Sequence, residues 1–173
     1  MRKYKVALFI GRFQPFHNGH LYSLNKCLEI ADQVMIGVGS SNVVDELNPW
    51  DYETREEMVR RVVQAIGDQA RISVIVPIPD VHDDQKWGAQ IQGLLQKAGY
   101  APSQVVGVGN NEWTNKILKD VGIEVYESGL YKRDELEGIK IRDLIERGDS
   151  SWKNRVPEVV VQYLDEHDNA GKN

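Results

Sequence analysis

Short apolar runs alternate with amphipathic stretches along the whole chain, and no other feature restricts its fold as much. YKVALFI (4–10), QVMIGVG (33–39), RISVIVPIPD (71–80), SQVVGVGN (103–110) and IEVYESG (123–129) have strand length and strand-forming composition. Between them lie GHLYSLNKCLEIA (19–31), WDYETREEMVRRVVQAIG (50–67), KWGAQIQGLLQKAG (86–99) and NEWTNKILKDVG (111–122), which read as helices. Leu21, Leu24 and Leu28 recur near helical spacing, as do Met58, Val62 and Ala65-Ile66, and Gly67 stops the second helix. After an irregular stretch come two more helical segments, 139–148 and 157–168. Apolar runs buried on both faces, separated by amphipathic helices, specify an α/β fold: a parallel sheet with right-handed crossovers, flanked by helices, with a short C-terminal helical part. One domain is expected over 1–168, followed by a frayed polar tail at 169–173.

Composition narrows the partners. The net charge of −5 argues against an extended nucleic acid polymer as ligand. A small anion in a locally basic pocket stays compatible with it. The single cysteine, Cys27, allows no intrachain disulfide and fits a reducing cytoplasm; its place in a helical pattern reads as burial rather than as a nucleophile. No apolar run reaches membrane-spanning length, and YKVALFI is too short for a secretion signal, so a cytoplasmic protein without membrane contact is expected.

The segment GRFQPFHNGH (11–20) follows the first strand run, where parallel sheets bind ligands beyond their carboxyl ends. Gly11 permits close approach to a ligand, and Pro15 stiffens the loop. Asn18-Gly19 leads into a helix whose first N–H groups lack partners and carry the positive dipole end. His17 and His20, three apart, can face one side, and Arg12 adds a forked cation. Together they form a phosphate cradle. Neither a P-loop nor a G-x-G-x-x-G pattern is present, and half a zinc site would need further ligands; no resident metal is expected.

Phe9 to His20 resembles the H-x-G-H signature of the nucleotidyltransferase superfamily, and the form GRFQPFHxGH is similar to nicotinamide-nucleotide adenylyltransferases of the archaeal type. Several other stretches extend the likeness: Gly37 to Ser41; Asn48-Pro49-Trp50 with Arg55; Pro79-Asp80-Val81 with Trp87; Gly109-Asn110-Asn111; Leu136-Glu137-Gly138 with Arg142; and Gly148-Asp149 with Trp152 and Pro157. The resemblance implies a Rossmann-like sheet and an enzyme joining nicotinamide mononucleotide to ATP, with Mg²⁺, to give NAD and pyrophosphate. It also implies a homo-oligomer, often a hexamer.

Adenylyl transfer requires positioning and charge stabilisation rather than a covalent intermediate. On this resemblance His17, His20, Arg12 and Arg142 are the catalytic candidates. Gly11, Phe13, Gln14, Pro15, Gly39, Ser40, Gly109, Asn110, Ile139 and Lys140 would contact ATP. Arg55, Asp80, Asp84, Trp87 and Arg133 would serve the mononucleotide. Arg55 is equally readable as an intersubunit contact or as a helix surface charge beside Glu56 and Glu57, and Trp87 as packing.

Two positions depart from the family pattern. Ile139 stands where the family has a hydroxyl residue three before the arginine, which removes one phosphate contact. Asp84 stands where an asparagine is common; an ionised carboxylate accepts the amide N–H of nicotinamide but repels nicotinate, so the amide substrate is expected. These departures keep other readings open: transfer to phosphopantetheine, flavin mononucleotide or a CTP-dependent acceptor, or nucleotide binding without catalysis. His82 and His167 carry no assignment.

Overall fold

The computed structural model describes residues 2–170; 171–173, within the expected frayed tail, lie outside the described residues. The elements run β1 (Tyr4–Gly11), α1 (Asn18–Ile30), β2 (Ala31–Gly39), α2 (Tyr52–Ile66), β3 (Ile72–Ile78), α3 (Asp84–Lys97), β4 (Val105–Val108), α4 (Glu112–Asp120), β5 (Glu124–Tyr126), α5 (Gly138–Glu146) and α6 (Glu158–Ala170). Short 3₁₀ turns at Gln69–Arg71, Pro102–Gln104 and Ser150–Arg155 come in addition to the expected elements. Strands three to five are shorter than their apolar runs, and α6 continues to Ala170.

The five strands form one sheet in the order β3-β2-β1-β4-β5, with every pairing parallel. This is the expected Rossmann-like arrangement. Side chains alternate across β1: Ala7 and Phe9 enter a core with Leu24 of α1, Met58 and Val62 of α2 and Val160 of α6. Val6 and Leu8 enter a second core with Trp87 and Ile91 of α3 and Ile117 and Leu118 of α4. The strands are therefore covered on both faces, which is why they read as apolar runs rather than as alternating ones. Cys27 lies in the first core, where burial pushes its thiol pKa up and keeps it protonated.

The chain leaves β1 for β2 on one side, while β4 pairs with β1 on the other. The carboxyl end of β1 is thus a switch point, where the crossovers diverge and leave a crevice.

Candidate active site

The turn after β1 folds inward before it becomes α1. Phe13 has a φ of 52°, in the left-handed region, and this turns its ring under the loop. The ring is fully buried, stacks on Phe16 and meets Phe9 and His20 edge-on. A Cβ on Gly11 would lie 2.7 Å from that ring, so Gly11 makes room for Phe13. The Phe13 ring thus offers no surface to a ligand. The Gln14 side chain is engaged elsewhere: Nε2 donates to the Trp50 carbonyl at 2.8 Å, and Oε1 accepts the Trp50 N–H at 3.2 Å. Both ends of that amide are used in fastening the turn to the start of α2. Pro15 is also buried.

His17 caps α1. Its Nδ1 accepts the His20 N–H at 3.3 Å, and the Nδ1 of His20 accepts the His17 N–H at 3.2 Å. The imidazoles stack with centroids 3.6 Å apart. An Nδ1 that accepts from a backbone N–H carries no proton, so each neutral ring holds its hydrogen on Nε2. The electrostatics agree. Burial lowers the His17 pKa from 6.5 to about 4. Burial, and then the charges of His17 and Arg12, hold that of His20 well below its ordinary value. Two neutral Nε2–H donors therefore stand side by side at the start of a helix.

Arg55 overturns the reading of position 55 as a surface charge or a substrate ligand. Its side chain is fully buried. Nη1 donates to the carbonyls of Arg12 (2.9 Å) and Gly39 (2.7 Å), Nη2 to Ser40 (3.1 Å) and Nε to Asp51 (3.0 Å). The guanidinium joins the loop after β1 to the loop after β2 and has no face left for a ligand. Ser40, at φ 49°, takes the left-handed conformation at this junction.

Beyond these loops opens a cleft of about 530 Å³. Gly11, Arg12, Gly39 and Ser40 line it, together with Asp80, Asp84, Trp87 and Trp113. Arg12 is exposed and donates to Asn48 Oδ1 at 3.4 Å. Asp80 is held by its backbone, which pairs with the Asn42 side chain. Trp87 is only 4% exposed and packs mostly in the core, whereas Trp113 is 46% exposed. The two indoles meet at 59° with centroids 5.0 Å apart. Asp84 Oδ1 accepts the Trp113 indole N–H at 3.0 Å. His82, which also lines the cleft, has a φ of 50°.

The third part is α5. Arg142, 8% exposed, donates from Nη1 to the Gln14 carbonyl at 2.7 Å, and burial followed by the nearby Arg12 charge lowers its pKa. A Cβ on Gly138 would come within 2.9 Å of the same carbonyl oxygen, so glycine lets the start of α5 press against the turn. Ile139 is exposed there. Lys140 Nζ bonds the Asp134 carbonyl at 3.0 Å. Arg133 reaches Glu137 at 3.4 Å beside α5 and is not among the residues lining the cleft, which separates it from Asp80, Asp84 and Trp87. Asn110 is likewise occupied: Nδ2 donates to Ser128 and Gly129, and Oδ1 accepts the Gly129 N–H. Its side chain locks the segment after β5 to the neighbouring Gly109 turn.

The structure thus gathers Arg12, His17, His20 and Arg142 around one turn, and Asp80, Asp84 and Trp87 around one cleft. Sequence reasoning passed over Trp113, the bond of Asn48 to Arg12 and the packing role of Gly138. The available signal for Trp113 was a second tryptophan just after a strand end on the ligand side of the sheet. Among the described residues no group of three or more His, Cys, Asp or Glu could hold a metal ion. The donors at the turn are imidazole and guanidinium N–H groups, which suit phosphate oxygens rather than a cation. No helix among the described residues is long and apolar enough to cross a membrane.

Residues 8–97 match the cytidylyltransferase-like family. The nicotinamide-nucleotide adenylyltransferase of Methanospirillum hungatei is 35% identical over 94% of this chain and 88% of its own length. That of Haloarcula marismortui is 31% identical over 92% and 80%. The fold is shared with a bifunctional NMN adenylyltransferase/ADP ribose pyrophosphatase from Francisella tularensis, at a TM-score of 0.76 and 24% identity; the match covers 94% of this chain and half of that one. A second structure of the Francisella tularensis protein, complexed with AMP and a manganese ion, aligns with a TM-score of 0.72 at 23% identity, over 96% of this chain and 53% of that one. On the family match and on the likeness to these relatives over most of both chains, the chain belongs to the nicotinamide-nucleotide adenylyltransferases of the cytidylyltransferase-like family.

Proposed function

We propose that this protein transfers the adenylyl group of ATP to nicotinamide mononucleotide, giving NAD and pyrophosphate. The observation that carries this reading is the paired capping of His17 and His20, which keeps two neutral Nε2–H donors beside Arg12 and Arg142. A mononucleotide phosphate oxygen attacks the α-phosphorus in line, and the bond to the β-phosphate oxygen breaks. Charge grows on the α-phosphate oxygens and on the leaving pyrophosphate. The two imidazoles donate to the α-phosphate, Arg142 holds the β- and γ-phosphates, and Arg12 bridges the phosphates of both substrates. Mg²⁺, carried by the triphosphate, supplies further charge neutralisation. Backbone at Gly39, Ser40 and Gly109 borders the nucleotide, with Ile139 and Lys140 at the triphosphate end.

The cleft takes the pyridine nucleotide. Asp80 and Asp84 offer negative charge to the pyridinium, and Trp87 an indole edge. Because Asp84 accepts but does not donate, the amide is preferred to the acid. Residues 1–168 act as one catalytic unit in the cytoplasm, assembled as a homo-oligomer, for which a hexameric mass by light scattering is expected. The direct test is pyrophosphate release from Mg-ATP with nicotinamide mononucleotide, with nicotinate mononucleotide and without acceptor. Release and NAD formation that depend on the amide nucleotide are expected. ATP binding without release in any arm overturns the assignment.

A further inference from the structure

We propose that Trp113 is a specificity-determining residue of the cleft: it sets the Asp84 carboxylate and offers the open aromatic face on which a cationic pyridine ring lies. The inference rests on the pyridine-nucleotide reading above.

Asp84 opens α3 and Trp113 lies in the first turn of α4, so the 3.0 Å bond between them links two helix starts across one wall of the cleft. A surface aspartate is ordinarily free to rotate and is well solvated. Here the indole N–H holds Oδ1, and among the described residues no hydrogen bond engages Oδ2. The Asp84 charge also acts on Lys116, but that Nζ pairs with Asp120 at 2.8 Å. The second oxygen is thus left as an acceptor of fixed orientation.

The indole does a second thing. Trp87 is nearly closed off by the core, while Trp113 leaves 46% of its surface open and leans on Trp87. Of the two tryptophans that line the cleft it is the open one. The charge lining the cleft is also unevenly placed. Asp84 is bonded to Trp113, Asp83 precedes it, and Arg12, on the side of the β1 turn, is the one Lys or Arg among the described lining residues. A molecule with a positive ring at one end and a phosphate at the other matches this polarity. An exocyclic amide donates to the free Asp84 oxygen, whereas an exocyclic carboxylate meets a like charge held in place by the indole. Trp113 therefore acts on the choice of acceptor and not on the phosphoryl chemistry.

The test compares the wild-type protein with Trp113→Phe, Trp113→Leu, Asp84→Asn and the double variant W113F/D84N. Steady-state rates are measured with the amide and the acid mononucleotide at saturating Mg-ATP, and indole fluorescence is titrated with nicotinamide mononucleotide alone. Trp113→Phe keeps a ring and loses the donor. It should lower the amide-over-acid ratio of kcat/KM about tenfold, the scale of one hydrogen bond to a charged group. That loss should appear in KM for the mononucleotide, with kcat and the KM for ATP held. Trp113→Leu should in addition abolish most of the fluorescence change. In the D84N background the Phe substitution should leave the ratio unchanged. An unaltered ratio in W113F, or an unaltered fluorescence response in W113L, overturns the inference while NAD formation by the wild type stands. A wild-type protein that forms NAD from neither nucleotide overturns the underlying reading, and the inference with it.

Discussion

Arg55 and Arg12 are joined through the guanidinium of one and the carbonyl oxygen of the other, at 2.9 Å, and the same guanidinium reaches Gly39 and Ser40. One buried cation thereby sets the spacing between the loops after β1 and β2. Arg55→Met would leave four carbonyls without this donor and should cost about 3 kcal/mol, since each unmet buried carbonyl is worth a sizeable fraction of that. For a chain of this length the melting temperature should fall by about 10 °C. Arg55→Lys should do little better, because a single ammonium lacks the planar fork. Thermal unfolding of both variants is the check, and a lysine variant that melts with the wild type would contradict the assignment.

The histidine pair yields a prediction in two parts. His20→Ala removes an Nε2–H donor and should lower kcat by about 10²–10³, the usual scale for a donor to transition-state charge. It also strips the acceptor from the His17 N–H, a capping loss of about 1 kcal/mol, so the fold should survive. Circular dichroism and turnover, measured together, separate the two effects. The pH dependence follows from the direction of the shifts. His17 titrates at about 4 in the folded chain against 6.5 unfolded, so between those values the unfolded chain binds the proton and the folded chain does not. Stability rises with pH across that window. The contribution should be complete above pH 6.5, decline as the pH falls toward 4, and change no further below it. Urea midpoints measured across that range, in the wild type and in His17→Asn, should differ in slope.

The sheet was legible because its signals are local. Apolar runs and helical spacing are written in consecutive residues, and every strand lies inside the span expected for it or within two residues of it. That His17 and His20 face one side was legible for the same reason, since they are three residues apart; that they cap α1 was not. Arg55 was not, because its neighbours Glu56 and Glu57 face outward, and nothing in the spacing reveals that two distant loops converge on position 55. The inward turn of the Phe13 and Gln14 side chains was hidden for a related reason. A φ of 52° at Phe13 turns a loop that looks like a ligand cradle inward on itself. Trp113 needed its partner, and Asp84 is 29 residues away.

Gly138 yields a sharper steric test than any charged residue at the site. The atom that a Cβ would meet is the Gln14 carbonyl oxygen, at 2.9 Å, which is backbone and cannot swing aside. The Arg142 Nη1 lies at 3.1 Å from the same point and bonds that carbonyl. Gly138→Ala must therefore push α5 off the turn or break the Arg142 bond. Overpacking of this kind costs about 1–3 kcal/mol. On the proposed assignment of the triphosphate end to α5, KM for ATP should rise about tenfold, the equivalent of roughly 1.4 kcal/mol. KM for the mononucleotide should hold, since the cleft is built from other elements. An equal rise in both constants would show that α5 does not act locally.

Ile139 supplies the opposite prediction, a gain. It is 56% exposed at the start of α5, where the N-cap residue Glu137 makes no side-chain capping bond. The helix start thus presents backbone N–H groups with an apolar side chain among them, which contributes nothing to an anion. Ile139→Ser adds a hydroxyl donor at that point and removes exposed apolar surface. One neutral hydrogen bond to phosphate, about 1 kcal/mol, should lower KM for ATP about fivefold. Arg142 and the two histidines keep their partners, so kcat should change by less than about twofold. Calorimetric titration of a non-hydrolysable ATP analogue into the wild type and I139S reads the same gain without turnover. Unchanged affinity would place the β- and γ-phosphates away from α5 and remove Arg142 from the role proposed for it.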